Sequence, residues 1–214
     1  MKKIIGIGGA VIKTGIGEDL KKNIDQIEMI IYNGGAIFHD FQLALEGYTS
    51  VPISELVNTH ERIKFSSLYL LEWLKGNKEP PEGSLAKFCK DRGIPVLLFT
   101  ALGCDYWQLF SDDWGVLGRK SQRDFEILKK RFNEKPFHYI NMGSAVIHPE
   151  VFLKAISGVK HKFRADVVDF LDMYRPRTRV AVYGKYFKMT FKEYMDNEFN
   201  KNENNFNLPR DISI

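Results

Sequence analysis

The feature that most constrains the fold is a unit that occurs three times: a short apolar run, a glycine-containing turn and a segment with helical spacing. The apolar runs are residues 3–7, 27–32 and 137–142. Strands that alternate with helices pair in parallel, because each helix returns the chain to the same edge of the sheet. The sequence therefore predicts a single α/β domain with a mostly parallel, Rossmann-like sheet and helices on both faces.

Signals for helix ends support the same organisation. Gly47 predicts the end of a helix that follows Gly35, and Ser84 predicts the start of a helix that Gly93 ends before a strand at 94–99. Ser121 and Asp124 resemble a capping box that opens a further helix.

The remaining segments predict appendages to this sheet. Residues 48–78 have a helical pattern and predict an inserted helical cover over the sheet edge, and residues 101–120 predict a loop over a site. Residues 180–183 predict the last strand. The predicted domain spans residues 4–195, and the asparagine-rich tail at 200–214 is expected to be flexible.

Composition excludes several classes of protein. No stretch approaches the roughly 20 apolar residues of a membrane span, so none is expected. Cys89 and Cys104 lack metal or disulfide spacing and fit a reducing cytoplasm. The 31 basic and 27 acidic residues are interspersed, and the net charge is only +4, so nucleic-acid binding is not favoured, even through Arg175–Arg179.

The turns after the strands are the candidate ligand site. A glycine there lets a phosphate approach the main chain at a helix N-terminus. The candidate cofactor-binding residues are Gly8, Gly9, Asn33, Gly34, Gly35, Gly143 and Ser144. Tight packing alone is the alternative explanation, since the third glycine of the dinucleotide fingerprint is missing after Gly8.

Polar residues follow two of these turns. His39 and Asp40 lie about one helical turn beyond Gly35, where they could face a ligand. A surface histidine and a carboxylate that compensates the helix dipole are the alternatives. His148 and Glu150 follow the third turn, where Glu150 could likewise serve only the helix dipole.

Four segments in order resemble the deoxyhypusine synthase family and its relatives. They span about residues 4–195 and read GGAIFHD (34–40), DRGIPVLLFTALGCDYWQLF (91–110), INMGSAVIHPEVFLKAI (140–156) and MYRPRTRVAVYGKYF (173–187). The resemblance implies an NAD-binding α/β sheet and a homo-oligomer, a dimer or tetramer. It also implies NAD-dependent transfer of an aminobutyl group from a polyamine through a lysine imine.

The resemblance also implies roles for individual residues. Lys185 would form the imine, with His148 and Glu150 near the place of the family's paired histidines as further catalytic candidates. His39, Asp40 and Asp105 would bind the cationic substrate. The expected partners are a small-molecule amine or a nucleotide.

The chain departs from the family pattern in three ways. Pro149 and Glu150 replace the paired histidines, the acid motif near Asp105 is altered, and a glycine- and acid-rich segment is absent. A non-catalytic nucleotide-binding or assembly module is therefore the alternative function. A cleft filled at Gly34 and Gly143 by the side chains of Trp107 or Phe38 would favour it.

Overall fold

A computed structural model describes residues 1–49 and 60–201 of the chain. One parallel sheet contains six strands: β1 (Lys3–Ile7), β2 (Ile27–Asn33), β3 (Val96–Phe99), β4 (Phe137–Met142), β5 (Phe163–Asp169) and β6 (Tyr186–Lys188). Their order in the sheet is β3-β2-β1-β4-β5-β6. This is the strand order of a Rossmann fold, so the predicted fold class is confirmed.

Nine helices surround this sheet in the described part of the chain. They are α1 (Gly9–Lys13), α2 (Ile16–Lys22), α3 (Gly34–Glu46), α4 (His60–Leu74), α5 (Leu85–Asp91), α6 (Trp114–Glu134), α7 (Ile147–Ala155), α8 (Tyr174–Arg179) and α9 (Phe191–Asn197). Short 3-10 turns lie at Ile24–Gln26, Tyr106–Phe110 and Ala181–Tyr183.

The core lies on both faces of the sheet. Ile5 of β1 packs into one apolar cluster together with Phe41 of α3, whereas its neighbour Ile4 packs into a second cluster with Phe132 of α6 and Phe152 of α7. Successive side chains of a strand point to opposite faces, which explains the division. The predicted helices on both faces are thus present.

The predicted helix ends at α3 and α5 are confirmed. Gly47 adopts a positive φ of 75° at the C-terminus of α3. The Ser84 hydroxyl accepts the N–H of Lys87 at 2.9 Å and caps α5. Gly93 also has a positive φ and lies two residues beyond Asp91, the last residue of α5.

Two predicted elements are wrong. The helix α6 begins at Trp114 with Asp113 as its cap, so Ser121 and Asp124 lie inside the helix and not at its start. Asp124 is buried and accepts the N–H of Leu98 at 2.7 Å. Residues 181–183 form a 3-10 turn, and the last strand is β6.

Strand β5 was not anticipated because its sequence, FRADVVD, contains three charged residues. All seven residues are buried. The Asp166 carboxylate accepts from Arg164 Nε at 2.8 Å and lies 2.7 Å from His138 Nε2, so the buried charges neutralise one another. A strand with charged residues can therefore lie in the interior, because His138, which is distant in sequence, pairs with Asp166.

The inserted helical cover is present as α4, which packs against α3, with the rings of Phe41 and Trp73 5.3 Å apart. Part of the predicted insertion and most of the predicted tail lie outside the described residues. The boundaries of the domain at 4–195 stay a prediction. Within the described ranges, no helix has the length and apolar character that crossing a membrane requires.

Candidate functional site

The strand order reverses between β1 and β4. From β1 the chain builds β2 and β3 on one side, and it then crosses to build β4 to β6 on the other side. In open parallel sheets, ligands bind at such a reversal, in the crevice outside the carboxyl ends of the strands. The crevice at the ends of β1 and β4 is therefore the candidate site.

The turns after β1 and β4 lie in direct contact in this crevice. The Gly8 N–H donates to the carbonyl of Met142 at 2.8 Å, and the Gly143 N–H donates to the carbonyl of Val168 at 3.1 Å. A Cβ atom added to Gly8 would overlap the Gly143 carbonyl group. Gly143 has a φ of +66°, and a Cβ there would lie 2.7 Å from the Phe191 ring. Packing within the protein therefore accounts for both glycines.

The turn after β2 is covered by the loop that follows β3. Asn33 caps α3, because its Oδ1 accepts the N–H of Ala36 at 2.8 Å. A Cβ atom added to Gly34 would overlap the Asp105 carboxylate. Trp107 Nε1 donates to the carbonyl of Gly34 at 3.0 Å. The first residue of α3 therefore has no room for a ligand or a side chain.

Asp105 is largely shielded from solvent in this position. Its Oδ2 accepts from the Thr100 hydroxyl, and Gln108 Nε2 lies 3.4 Å away. Burial raises the pKa of Asp105, and the hydrogen bond from Thr100 only partly opposes this effect. A carboxyl group at a helix N-terminus also interacts favourably with the helix dipole.

Among the predicted cradle glycines, Gly35 retains space for a side-chain atom, and Gly9 has less space because the His39 ring lies close to it. A Cβ atom added to Gly9 would lie 3.2 Å from His39 Cδ2 and 3.6 Å from the carbonyl carbon of Gly35. A Cβ atom added to Gly35 would lie 3.7 Å from Asn33 Oδ1. Both glycines stand in the first turn of a helix, where main-chain N–H groups lack intrahelical acceptors.

His39 borders this open part of the crevice. Burial, followed by the charge of Lys13, lowers the pKa of His39 to about 4. The ring is therefore neutral near pH 7 and can donate or accept one hydrogen bond at each nitrogen according to its tautomer. His39 lies beside Gly9, and its predicted role near a ligand stays a prediction.

Ser144 and His148 are buried below the turn that follows β4. Both are 1% exposed, and the Ser144 hydroxyl accepts the His148 N–H at 3.2 Å. The imidazole packs on the backbone of Gly6, where a Cβ atom would lie 2.8 Å from His148 Nδ1. Burial lowers the pKa of His148 to about 4. A ring so enclosed has no path for exchanging protons with a ligand in the crevice.

The prediction that Asp40 faces a ligand is wrong. The carboxylate is 4% exposed and accepts the N–H groups of Leu85 and Ala86 at 2.8 and 2.9 Å and the Tyr32 hydroxyl at 2.8 Å. It caps the N-terminus of α5 from within the core. Burial raises the pKa of Asp40, although these hydrogen bonds oppose the shift.

Glu150 is engaged by cations of α7 and α8. Its carboxylate lies 2.6 Å from Lys154 Nζ, 2.6 Å from Arg179 Nε and 3.3 Å from Arg175 Nε. The hydrogen bond from Lys154 lowers the pKa of Glu150, and the charges of both arginines add to this effect. The carboxylate is thus held in its ionised form.

Lys185 lies away from the glycine turns. It precedes β6, two strands from β4, and its carbonyl accepts the N–H of Val167 at 2.9 Å. Its own N–H donates to Asp166 Oδ1 at 2.8 Å, in the middle of β5. The structure therefore does not bring the exposed Lys185 together with Gly9, Gly35 and His39.

Exposed apolar side chains also follow three of the strands in the chain, and sequence analysis assigned them no role. They follow β3, β4 and β5, and they are Leu102, Tyr106, Leu109, Trp114, Val146, Phe170, Leu171 and Tyr174. The sequence signal that could have found them is their position directly after apolar strands. In the described ranges, no group of three or more His, Cys, Asp or Glu side chains is arranged to hold a metal ion.

Comparison with known proteins identifies relatives of the fold. No protein-family model matches the chain, and no curated protein matches it. Among solved structures, it is similar to a conserved LOR/SDH protein from Methanococcus maripaludis S2, with 16% identity, a TM-score of 0.60 and coverage of 91% of this chain and 60% of the other. It is also similar to unliganded AgrE, with 16% identity, a TM-score of 0.59 and coverage of 91% and 29%.

A complex of AgrE with ornithine and NAD+ is a further neighbour, with 17% identity, a TM-score of 0.54 and coverage of 79% of this chain and 25% of the other. The chain thus spans less than two thirds of these relatives. At such identities the likeness shows the fold alone. The fold is Rossmann-like, as the family resemblance implied, but these neighbours are not deoxyhypusine synthases.

Proposed function

We propose that the chain binds a dinucleotide of the NAD type at the carboxyl ends of β1 and β2, beside the reversal of strand order between β1 and β4. The observation that carries the proposal is the pair of adjacent turns after β1 and β2, next to the strand-order reversal, where Gly9 and Gly35 lie side by side and Gly35 has open space over its Cα. The pyrophosphate would lie against these two glycines, where main-chain N–H groups and two helix N-termini favour an anion. The solved complex of AgrE with NAD+ lends support through the shared fold.

The residues at the crevice fit the cofactor in part. Gly9 and Gly35 would donate main-chain N–H groups to phosphate oxygens, and the neutral His39 would add a hydrogen bond without charge. Asp105 opposes the anion when it is ionised, and the burial that raises its pKa makes that ionised form less favourable than for an exposed aspartate. When bound, NAD supplies a hydride acceptor.

The finer hypothesis is an amine-directed transferase of the deoxyhypusine synthase type, working through an imine on Lys185. Its support is the order of the four sequence segments. The position of Lys185 beside β5 and β6 weighs against it, because the imine must form where the cofactor takes the hydride.

A non-catalytic module is the second candidate. Asp105 fills the space at Gly34, and Phe191 fills the space at Gly143. These are the positions at which a filled cleft favours a binding or assembly role without catalysis.

Calorimetric titration of the intact chain with NAD+ tests the main proposal, and saturable binding at one site per chain is expected. Absence of binding at millimolar NAD+ would leave the non-catalytic module. Borohydride trapping with spermidine and NAD+ tests the transferase. That hypothesis expects an adduct that Lys185→Ala abolishes and that the matched control Lys188→Ala retains; an adduct unaffected by Lys185→Ala would contradict it.

A further inference from the structure

A second cleft lies at the β3 edge of the sheet, outside the crevice. It has a volume of about 550 Å³, and residues 94–97 form its floor. Trp73 and Ala86 line it from the face that carries α4 and α5, and Arg123 and Ile127 line it from α6 on the other face. The helical layers on both faces thus extend beyond the edge strand β3. The cleft between them lies where a further strand of the sheet would be.

Every second residue of β3 directs its main-chain N–H and C=O groups into this cleft. The Ile30 N–H donates to the Pro95 carbonyl at 3.1 Å, and Ile30 is in register with Val96. In a parallel ladder this pattern directs the N–H and C=O groups of Val96 and Leu98 away from β2. The Leu98 N–H is taken by the Asp124 carboxylate, which protects that half of the edge against further pairing. Val96 therefore presents the hydrogen-bonding groups that remain for a partner.

The cleft is basic on the α6 side. Lys120 pairs with the buried Asp124, whereas Arg123 is exposed and has no ion-pair partner within the described ranges. An adjoining cavity of about 390 Å³ shares Lys120 and Arg123. Its other cations are already paired, Lys75 with Asp112 and Arg119 with Asp113, so Arg123 is the cation that can attract an acidic occupant. An acidic occupant would thus complement the charge of this side.

We propose that this cleft binds an extended, acidic and apolar peptide segment, which adds a short parallel or antiparallel strand beside Val96. Its apolar side chains would pack between Trp73 and Ile127, and its carboxylate would pair with Arg123. Strand addition explains the combination of features better than a small anion does. A small anion uses the positive charge but neither the apolar walls nor the outward groups of Val96.

The test uses a blocked hexapeptide of alternating valine and glutamate, titrated into the intact protein labelled with 15N. The amide resonance of Val96 reports pairing directly. A peptide with lysine in place of glutamate tests the charge preference, and inorganic pyrophosphate tests a small anion. The protein variants are Arg123→Glu, with Lys129→Glu as a control on the exposed surface of the same helix, and Val96→Pro, which deletes the outward N–H.

We expect saturable shifts at Val96 with the acidic peptide and affinity weaker by about tenfold or more in Arg123→Glu, since attraction becomes repulsion. Lys129→Glu should bind like the parent, and the lysine peptide should bind more weakly. Absence of saturable binding, equal binding of both peptides, or unchanged affinity in Arg123→Glu would overturn the proposal. Displacement of the peptide by pyrophosphate with the same shifts would overturn it in favour of a small-anion site. If Val96→Pro does not fold, Arg123→Glu decides.

Discussion

The carboxylate of Asp105 lies directly over Gly34, where it occupies the space that any side chain at the first residue of α3 would need. The loop after β3 thus closes one of the three glycine turns at the carboxyl edge of the sheet.

The pH dependence of stability should report this acid. Burial raises the pKa of Asp105, so the folded state holds its proton more tightly than the unfolded chain. The free energy of unfolding therefore declines as pH rises from the ordinary aspartate pKa of about 4 through the folded-state value. Asp105→Asn should remove this decline. In urea unfolding, the stability of the variant relative to the parent should increase as the pH rises above about 4. A stability difference that does not change with pH would contradict this account.

The protonation of His148 should change the stability with pH in the direction opposite to that of Asp105. Its folded-state pKa of about 4 lies below the ordinary value of 6.5, so the unfolded chain binds the extra proton. Its stabilisation is complete above pH 6.5 and is lost as pH falls to about 4, by a contribution of about 3 kcal/mol. His148→Gln should flatten this acid limb in urea unfolding, even if it lowers stability at pH 7. An unchanged limb would show that the ring is accessible to protons.

Gly8→Ala should destabilise the fold without any ligand. The new methyl group would overlap the Gly143 carbonyl, and two strand ends would have to move apart, at a cost of about 1–3 kcal/mol. Gly118→Ala in α6 is the matched control, because its Cβ meets open space, and it should stabilise the helix by about 0.5–1 kcal/mol. Thermal melting of both variants provides the comparison. Equal stability of Gly8→Ala and the parent would exclude the close contact.

Asp40→Ala should cost stability and leave ligand binding intact. The change leaves the N–H groups of Leu85 and Ala86 and the Tyr32 hydroxyl without their buried acceptor, at a cost of about 2–4 kcal/mol. Denaturant unfolding measures the loss. Selective loss of NAD+ affinity at full stability would restore Asp40 to the binding site.

Much of the sheet could be predicted because β1, β2 and β4 are apolar runs ended by glycine turns. Strand β5 could not, because Arg164 and Asp166 look unlike interior residues until their pairing with His138, which is distant in sequence, is known. The start of α6 was missed since Gly115 and Gly118 weaken its helical signal.

The candidate site was predictable to a smaller extent. The glycine turns were found from local sequence, but whether each turn has space depends on side chains brought in by the fold. Asp105 reaches Gly34 from the loop after β3, and Phe191 reaches Gly143 from α9. Asp40 appeared to be a ligand-facing acid because its role as the cap of α5 depends on a contact between distant helices.

The affinity of Gly35→Asp for NAD+ tests the central claim most directly. Its Cβ would lie 3.7 Å from Asn33 Oδ1 and 3.9 Å from Asp105 Oδ1, which are ordinary contact distances. The dipole of α3 favours an acid in the first turn and offsets repulsion from Asp105, so the variant should fold, as thermal melting will show. Its carboxylate would stand where the pyrophosphate is expected. Calorimetry should show NAD+ binding weakened by about tenfold or more in Gly35→Asp and unchanged in the control Gly118→Asp. Equal affinity of folded Gly35→Asp and the parent, or no binding by the parent, would contradict the account.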